Sequence, residues 1–135
     1  MTGQSPRALT HAGLILLLSA LATACGRPPQ EVVGGDDWQI GVSTSPQTPV
    51  ALRSTVITLR ITDRDGKALE IAGLDGFAGM PEMEHGESRL SFSRTGPGAY
   101  EVTHAFSMDG KWGIRLVGRQ AGSPFRAGIA ISVGP

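Results

Sequence analysis

Short runs of alternating apolar and polar residues, each closed by a turn signal, constrain this fold more than any other feature. From Ala51 to Thr62, the apolar residues Ile57, Leu59 and Ile61 alternate with polar ones, which is the period of a strand with one buried face. The 135 residues include 19 glycines and 9 prolines, which favours many turns and few long helices. No stretch after residue 25 keeps a helical period over three turns. The pattern therefore predicts an all-β chain.

Seven such runs are found between residues 38 and 135. They are Trp38–Val42, Ala51–Thr62, Leu69–Phe77, Leu90–Phe92, Ala99–Phe106, Trp112–Val117 and Ile129–Val133. A single sheet cannot bury all of their apolar faces, whereas two sheets packed about 10 Å apart can. The sequence therefore predicts one domain at residues 38–135, a β-sandwich of about seven strands.

The first 25 residues have the layout of a targeting segment. The apolar run from Gly13 to Ala24 is shorter than the roughly 20 residues that a membrane-spanning helix requires. It ends in Ala22-Thr23-Ala24-Cys25, and small residues before a cysteine resemble the lipobox of bacterial lipoproteins. The resemblance implies a cleaved signal peptide at residues 1–24 and diacylation of Cys25. The alternative is ordinary secretion, which leaves Cys25 as a free thiol.

Residues 25–37 are predicted to be the lipidated cysteine and a flexible tether. The segment GRPPQEVVGGDD, at residues 26–37, is polar and contains paired prolines and paired glycines, which is the composition of a linker. Gly26 stands where aspartate signals inner-membrane retention in many Gram-negative bacteria. We therefore expect a lipid-anchored protein on the periplasmic side of the cell envelope, and at the outer membrane if the source is Gram-negative.

Charge and cysteine content exclude several classes of function. The chain has 12 basic and 12 acidic residues, so it lacks the basic character of a nucleic-acid-binding protein. Cys25 is the single cysteine, which excludes an internal disulfide and a cysteine-based zinc cluster. The serines lack the context of a nucleophile elbow, and no glycine-rich loop joins a strand to a helix. The sequence therefore predicts a protein that is not an enzyme.

One segment interrupts the strand pattern with residues that bind soft metals. It contains Met80, Met83 and His85, and His104 and Met108 follow further along the chain. Thioethers select Cu(I), and imidazole suits either oxidation state of copper. If consecutive strands are antiparallel, the loops at residues 80–86 and 107–111 lie at the same end of the sandwich. The pattern predicts a Cu(I) site with the first three residues as ligands, and with Met108 or His104 as the fourth ligand or flanking the site.

The alternative is that these side chains only cap the sandwich. Methionine is an adaptable core filler, and His104 alternates with Tyr100, Val102 and Phe106 as a core histidine would. Side chains packed down on the core favour the cap. Sulfurs and an imidazole that face a common point favour a metal site.

Four short motifs, taken in order, resemble the YtkA-like/FixH-like domain. They are Asp65-Gly66-Lys67, Met80-Pro81-x-Met83-x-His85, Gly98-Ala99-Tyr100 and Met108-x-Gly110-x-Trp112, within residues 50–133. The resemblance implies an immunoglobulin-like β-sandwich exported to the cell envelope and often encoded near copper-handling or oxidase-assembly proteins. The methionine–histidine rim is also similar to that of periplasmic Cu(I) chaperones of the PCuAC type, although the ligand spacing differs here.

Two functions agree with these features. The first is a non-enzymatic accessory protein that binds or delivers Cu(I) in copper handling or oxidase assembly. The second is a structural interaction module that presents a sheet edge or the loop rim to an efflux or oxidase-assembly partner without a metal. In both, the lipid on Cys25 attaches the protein to a membrane, and neither involves nucleic acid.

Overall fold

Nine β-strands make up the computed structural model, which describes residues 31–84 and 86–135. They are β1 (Glu31–Gly34), β2 (Trp38–Ser45), β3 (Ser54–Asp63), β4 (Ile71–Gly79), β5 (Ser88–Ser91), β6 (Ser93–Gly96), β7 (Ala99–Ala105), β8 (Gly110–Gln120) and β9 (Ser123–Val133). These residues contain no helix, so the prediction of an all-β chain is confirmed. The predicted signal peptide and Cys25 lie outside the described residues. A search of the described ranges for a helix able to span a bilayer found none.

The strands form two sheets that pack face to face. One sheet has the order β1-β2-β3-β7-β6 and the other the order β5-β4-β8-β9, and neighbouring strands are antiparallel. Inward positions alternate along the longer strands, as in β3, where Thr55, Ile57, Leu59 and Ile61 are fully buried. The predicted immunoglobulin-like β-sandwich is therefore confirmed.

Two differences raise the number of strands from seven to nine. The segment predicted as a tether contains β1, which pairs with β2 from Glu31 onward and packs Val33 on the core, so the sandwich begins before Trp38. The predicted strand through Leu90 and Phe92 is two strands, because the chain crosses from one sheet to the other at Phe92. In both places the strands have four residues, which is too short for a two-residue period to be distinctive.

The strand register defines two ends of the sandwich. The end that we call the rim end carries the loops at residues 46–53, 80–87 and 106–109, next to the strand pairs Ser54–Ala105 and Gly79–Gly113. The opposite end, called the turn end, carries the connections at residues 35–37, 64–70, 97–98 and 121–122. The two loops that contain methionines therefore lie at the same end, as the alternation of strand direction predicts.

Candidate functional site

Three methionines converge at the rim end. Met80 and Met83 lie in the loop after β4, and Met108 lies in the loop between β7 and β8. All three line one cavity of about 80 Å³ together with Trp112. The loops meet because β4 and β8 are neighbours whose pairing extends to the rim. The structure thus brings together three of the five residues predicted to bind metal.

Backbone interactions fix the two loops that carry these methionines. The N–H of Met83 donates to the carbonyl of Met80 at 3.1 Å and closes a turn. The indole N–H of Trp112 donates to the carbonyl of Met108 at 3.1 Å, so a core side chain holds the second loop. At Gly110, a Cβ would lie 2.5 Å from the Cε methyl of Met80. Glycine at this position therefore leaves space for the Met80 side chain.

Burial distinguishes the three methionines. Met80 and Met108 are partly buried and pack against the core, as the cap hypothesis predicts. Met83 is 42% exposed, and a cap alone does not explain an apolar side chain left in water. All three line one cavity, and a metal site with His85 as a further ligand stays a prediction. The core thus fixes two of the sulfur-bearing side chains, and the third remains accessible from solvent.

The two histidines differ from the methionines. His85 lies outside the described residues, so its role as a ligand stays a prediction. His104 is half-buried on the inner side of β7 and is not among the residues that line the cavity. Its ring contacts Phe106 at 4.8 Å between centroids, and Phe106 packs on Trp112 at 5.3 Å. His104 therefore flanks the cavity through two aromatic rings, and Met108 lines it directly.

A buried hydroxyl lies beside His104. The strand register pairs His104 with Thr55, which is fully buried and whose Oγ1 has no hydrogen-bond partner among the described residues. Burial lowers the pKa of His104, because desolvation disfavours the imidazolium form. The neutral ring, favoured at neutral pH, can accept a hydrogen bond at one nitrogen and donate a hydrogen bond from the other. The sequence did not single out Thr55, because one threonine among the polar residues of a strand carries no signal.

Acidic side chains surround the rim. Glu82, Glu84 and Asp109 are exposed on the loops that carry the methionines, and Glu87 pairs with Arg115 at 2.9 Å. No group of three His, Cys, Asp or Glu side chains able to hold a metal occurs in the described part of the chain. The sulfur donors share a cavity while the described carboxylates do not form such a group. Arg53 and Lys111 are also exposed at this end, so the rim end carries charges of both signs.

A wider groove of about 540 Å³ adjoins the methionines on the outer face of the four-stranded sheet. Its floor includes Gly79 and Gly113, which pair across β4 and β8, and Gly128 on β9. Arg115 lies over the ring of Phe77 at 4.7 Å and forms one side. No pattern in the sequence indicated this groove. Glycines at outward positions of three strands were the available signal, but their alignment depends on the register between strands.

The fold and the rim together define an immunoglobulin-like β-sandwich module with a methionine-lined end. The family model described as YtkA-like matches residues 33–117, which is more than half of the chain. The chain therefore belongs to the YtkA-like family, and the family predicted from its four motifs is confirmed.

Solved structures give similarity of fold. A DUF4426 family protein from Pseudomonas aeruginosa has 12% sequence identity and a TM-score of 0.54, with 78% of this chain and 98% of that chain covered. A Lin-41 filamin domain has 15% identity and a TM-score of 0.48, with 76% and 89% covered. The comparison with curated proteins gave no significant match. At such low identity the first likeness supports the sandwich architecture and nothing about activity.

Proposed function

We propose that this protein is a lipid-anchored, non-enzymatic accessory protein of the cell envelope that binds Cu(I) at its rim. The observation that carries the proposal is that Met80, Met83 and Met108, from two separate loops, line one cavity. Thioether sulfur is a soft, uncharged ligand that favours Cu(I) over zinc, calcium or magnesium. Membership of the YtkA-like family supports an accessory role in copper handling.

The residues of the cavity have different parts in binding. Met80 and Met108 are held against the core, so their thioethers are positioned before a ligand arrives. Trp112 forms part of the wall, and its ring face adds cation–π attraction for a bound cation. Cu(I) supplies a soft acceptor for the sulfur lone pairs. Binding at this site joins the two loops across the rim.

The exposure of Met83 supports delivery as well as storage. Because Met83 is the solvent-exposed member of the three, a donor group from a partner can replace it first. Met80 and Met108 then retain the ion until the exchange is complete. The adjoining groove, which Met80 and Met83 also line, provides space for the approaching segment.

The decisive experiment separates sulfur from side-chain volume at Met83. Met83→Leu preserves size and apolarity, so we expect stability to change by less than about 1.5 kcal/mol. Cu(I) affinity should fall by more than about tenfold because a soft ligand is lost. Competition titration of the purified full chain with a Cu(I) chelator, under reducing conditions, measures the affinity. Fluorescence of Trp112 gives a second readout, because its indole lines the cavity.

Val32→Ala is the matched control, since Val32 is another exposed apolar residue and lies away from the cavity. It should leave Cu(I) affinity unchanged. If Met83→Leu and Met108→Leu both bind copper as the wild type does, or if the wild type binds no more tightly than about micromolar, the rim is only a cap.

The pH dependence of binding tests the predicted role of His85. Thioethers do not titrate, whereas imidazole must lose its proton to bind a metal. With His85 as a ligand, Cu(I) affinity weakens below about pH 6.5, and His85→Ala removes this dependence. A wild-type affinity that is constant from about pH 5 to 8 would assign the site to the methionines alone.

Cys25 carries the localisation part of the proposal. We expect a diacylated Cys25 in the membrane fraction, and Cys25→Ser should release a folded, soluble domain, because Cys25 precedes every described strand. Mass spectrometry of the membrane fraction checks the modification. An unmodified Cys25 thiol there would contradict it.

An interaction module without a metal is the second candidate. The observation that favours it is the groove on the outer face of the four-stranded sheet, where Phe77 and Pro81 flank the outward glycines. An extended segment of an envelope partner fits such a surface. This function takes first place if the copper titration is negative.

A further inference from the structure

The direction of β1 fixes how the chain enters the domain. Glu31 pairs with Val42, and Gly34 pairs with Gln39. Since β2 ends at Ser45 at the rim end, β1 runs from the rim half of the sandwich toward the turn end. β1 therefore begins in the rim half of the sandwich and points its N-terminal end toward the rim.

The distance from the anchor to the domain is short. Cys25 precedes Glu31 by six residues, which span at most about 20 Å when extended. Val42, the partner of Glu31, is three residues from the end of β2, or about 10 Å from the rim. Six residues extended in the line of β1 therefore reach at most about 10 Å beyond the end of β2 at the rim. To bring the turn end to a membrane, the same six residues would have to reverse direction and pass the whole of β1.

Exposed apolar side chains are concentrated at the same end. The large hydrophobic side chains that are exposed among the described residues are Val32, Leu52 and Met83. Leu52 and Met83 lie in rim loops, and Val32 lies near the start of β1. The described loops of the turn end contribute none of them. They carry Asp36, Asp37 and other polar residues instead.

Leu52 is held in an exposed position by its backbone. Its φ is +62°, and its side chain is 78% exposed. A positive φ is uncommon for residues other than glycine, asparagine and aspartate. The N–H of Leu52 donates to the carbonyl of Phe106 at 2.7 Å, which ties this conformation to the loop of Met108. Because most of its side chain is exposed, Leu52 contributes little to the packing of its own domain.

From the entry direction, the short anchor and these apolar side chains, we infer that the rim end rests on the membrane surface, with Leu52 as the contacting residue. The inference depends on the proposed lipid at Cys25 and is independent of copper. Exposed Glu82, Glu84 and Asp109 outnumber the exposed basic residues of the same end, Arg53 and Lys111, so the contact is with a zwitterionic rather than an anionic lipid surface. The methionine rim then lies in the layer next to the membrane, not in bulk solvent.

Distance measurements on the full lipidated chain in phosphatidylcholine vesicles test this orientation. Because the lipid occupies the single native cysteine, Thr48→Cys and Asp65→Cys each introduce one labelling site, at the rim end and the turn end. Energy transfer to an acceptor on the lipid headgroups should place the Thr48 label about 30 Å closer to the surface than the Asp65 label, which is the length of the sandwich. Equal distances, or a closer Asp65 label, overturn the inference.

Mass spectrometry of the same samples separates the two possible failures. If Cys25 is unmodified, the protein has no lipid anchor there, and both the proposed localisation and this inference are wrong. A lipidated Cys25 with the turn end at the surface leaves the anchor intact and overturns only the orientation.

Leu52→Asn tests the contacting residue. Asparagine tolerates a positive φ, so the loop keeps its conformation while the apolar side chain is lost, and the Thr48 label should move away from the surface. Ala121→Asn is the matched control, because Ala121 also has a positive φ and lies at the turn end; it should change nothing. An unchanged Thr48 distance in Leu52→Asn excludes Leu52 as the contact. Closer approach to phosphatidylglycerol vesicles than to phosphatidylcholine contradicts the zwitterionic assignment.

Discussion

The two ends of this sandwich are closed by different kinds of interaction. At the turn end, the hydroxyl of Tyr100 accepts a hydrogen bond from the N–H of Ile71 at 2.7 Å and donates to the carbonyl of Leu69 at 3.2 Å. At the rim end, Met80 and Met108 cover the core with thioethers. Side-chain hydrogen bonds among the described residues there include those from Trp112 to the Met108 carbonyl, from Thr44 to the Gln47 carbonyl and from Arg115 to Glu87. A tyrosine hydroxyl thus closes the core at the turn end, whereas apolar thioethers cover it at the rim end.

Further polar contacts reinforce the turn end. The carboxylate of Glu70 accepts two hydrogen bonds from Arg94, at 2.6 and 3.0 Å, and one from the N–H of Gly98 at 3.3 Å. Hydrogen bonding to Arg94 is the main cause that lowers the pKa of Glu70. Gly98 has a φ of +63°, and a Cβ there would lie 2.5 Å from the backbone oxygen of Ile61. Backbone atoms cannot move aside as the end of a side chain can, so the structure needs glycine at position 98.

At the rim end, a Cβ added to glycine meets a different kind of neighbour. A Cβ at Gly110 would meet the terminal methyl of Met80, which can move because methionine has three flexible side-chain bonds. A side chain at Gly98 would thus meet backbone atoms at the turn end, whereas one at Gly110 would meet only the end of a side chain at the rim. Three predictions test this contrast.

The largest expected effect is at the junction of the rim and the core. Trp112 is 7% exposed and packs on Phe106, so Trp112→Ala should lower the free energy of unfolding by about 3–5 kcal/mol. That is a large part of the roughly 5–15 kcal/mol that stabilises a small domain. Urea unfolding measures the loss. A change below about 1 kcal/mol would mean that Trp112 is dispensable for the core and that the rim is supported in some other way.

A smaller effect is expected from one hydroxyl at the turn end. Tyr100→Phe leaves the buried N–H of Ile71 without its partner and should cost about 1–3 kcal/mol. Arg94→Ala removes an exposed ion pair at the same end and should cost less than Tyr100→Phe, because solvent screens an exposed pair. This makes it a matched control in thermal or urea unfolding. Equal losses for the two variants would argue against the hydroxyl as the main bond closing this end.

The smallest effect is a dependence of stability on pH near the rim. Because burial lowers the pKa of His104, the unfolded chain binds a proton more readily than the folded one. Stability should therefore fall as the pH drops below the usual histidine pKa of about 6.5. Hydrogen bonds from Arg94 and Arg89 lower the pKa of Glu70 and Asp75 respectively, so the contribution of these carboxylates is lost separately, below about pH 4.

His104→Gln distinguishes these two steps. In unfolding measurements between about pH 8 and 3, the variant should lose the first decline and keep the second. If the first decline persists in His104→Gln, another group is responsible for it.

Local patterns in the sequence determined the fold class and the family. The two-residue period of Ile57, Leu59 and Ile61 predicts a buried strand face wherever the strand lies, and Gly66 and Gly98 mark turns that are present in the structure. The four motifs identified the YtkA-like family. The convergence of Met80 and Met108 was predictable as well, because alternating strand direction assigns loops to ends without knowledge of the packing.

Only the tertiary structure decided the features that depend on which strands are neighbours. The crossing between sheets at Phe92 and the pairing of β1 are stabilised by partners that are distant in sequence. The four-residue segments themselves therefore do not reveal these features. The same holds for the separation of His104 from the cavity by Phe106 and for the exposure of Leu52. Chain direction and side-chain period are properties of neighbouring residues. Burial, register between strands and the shape of a cavity are properties of surfaces that the folded chain brings together.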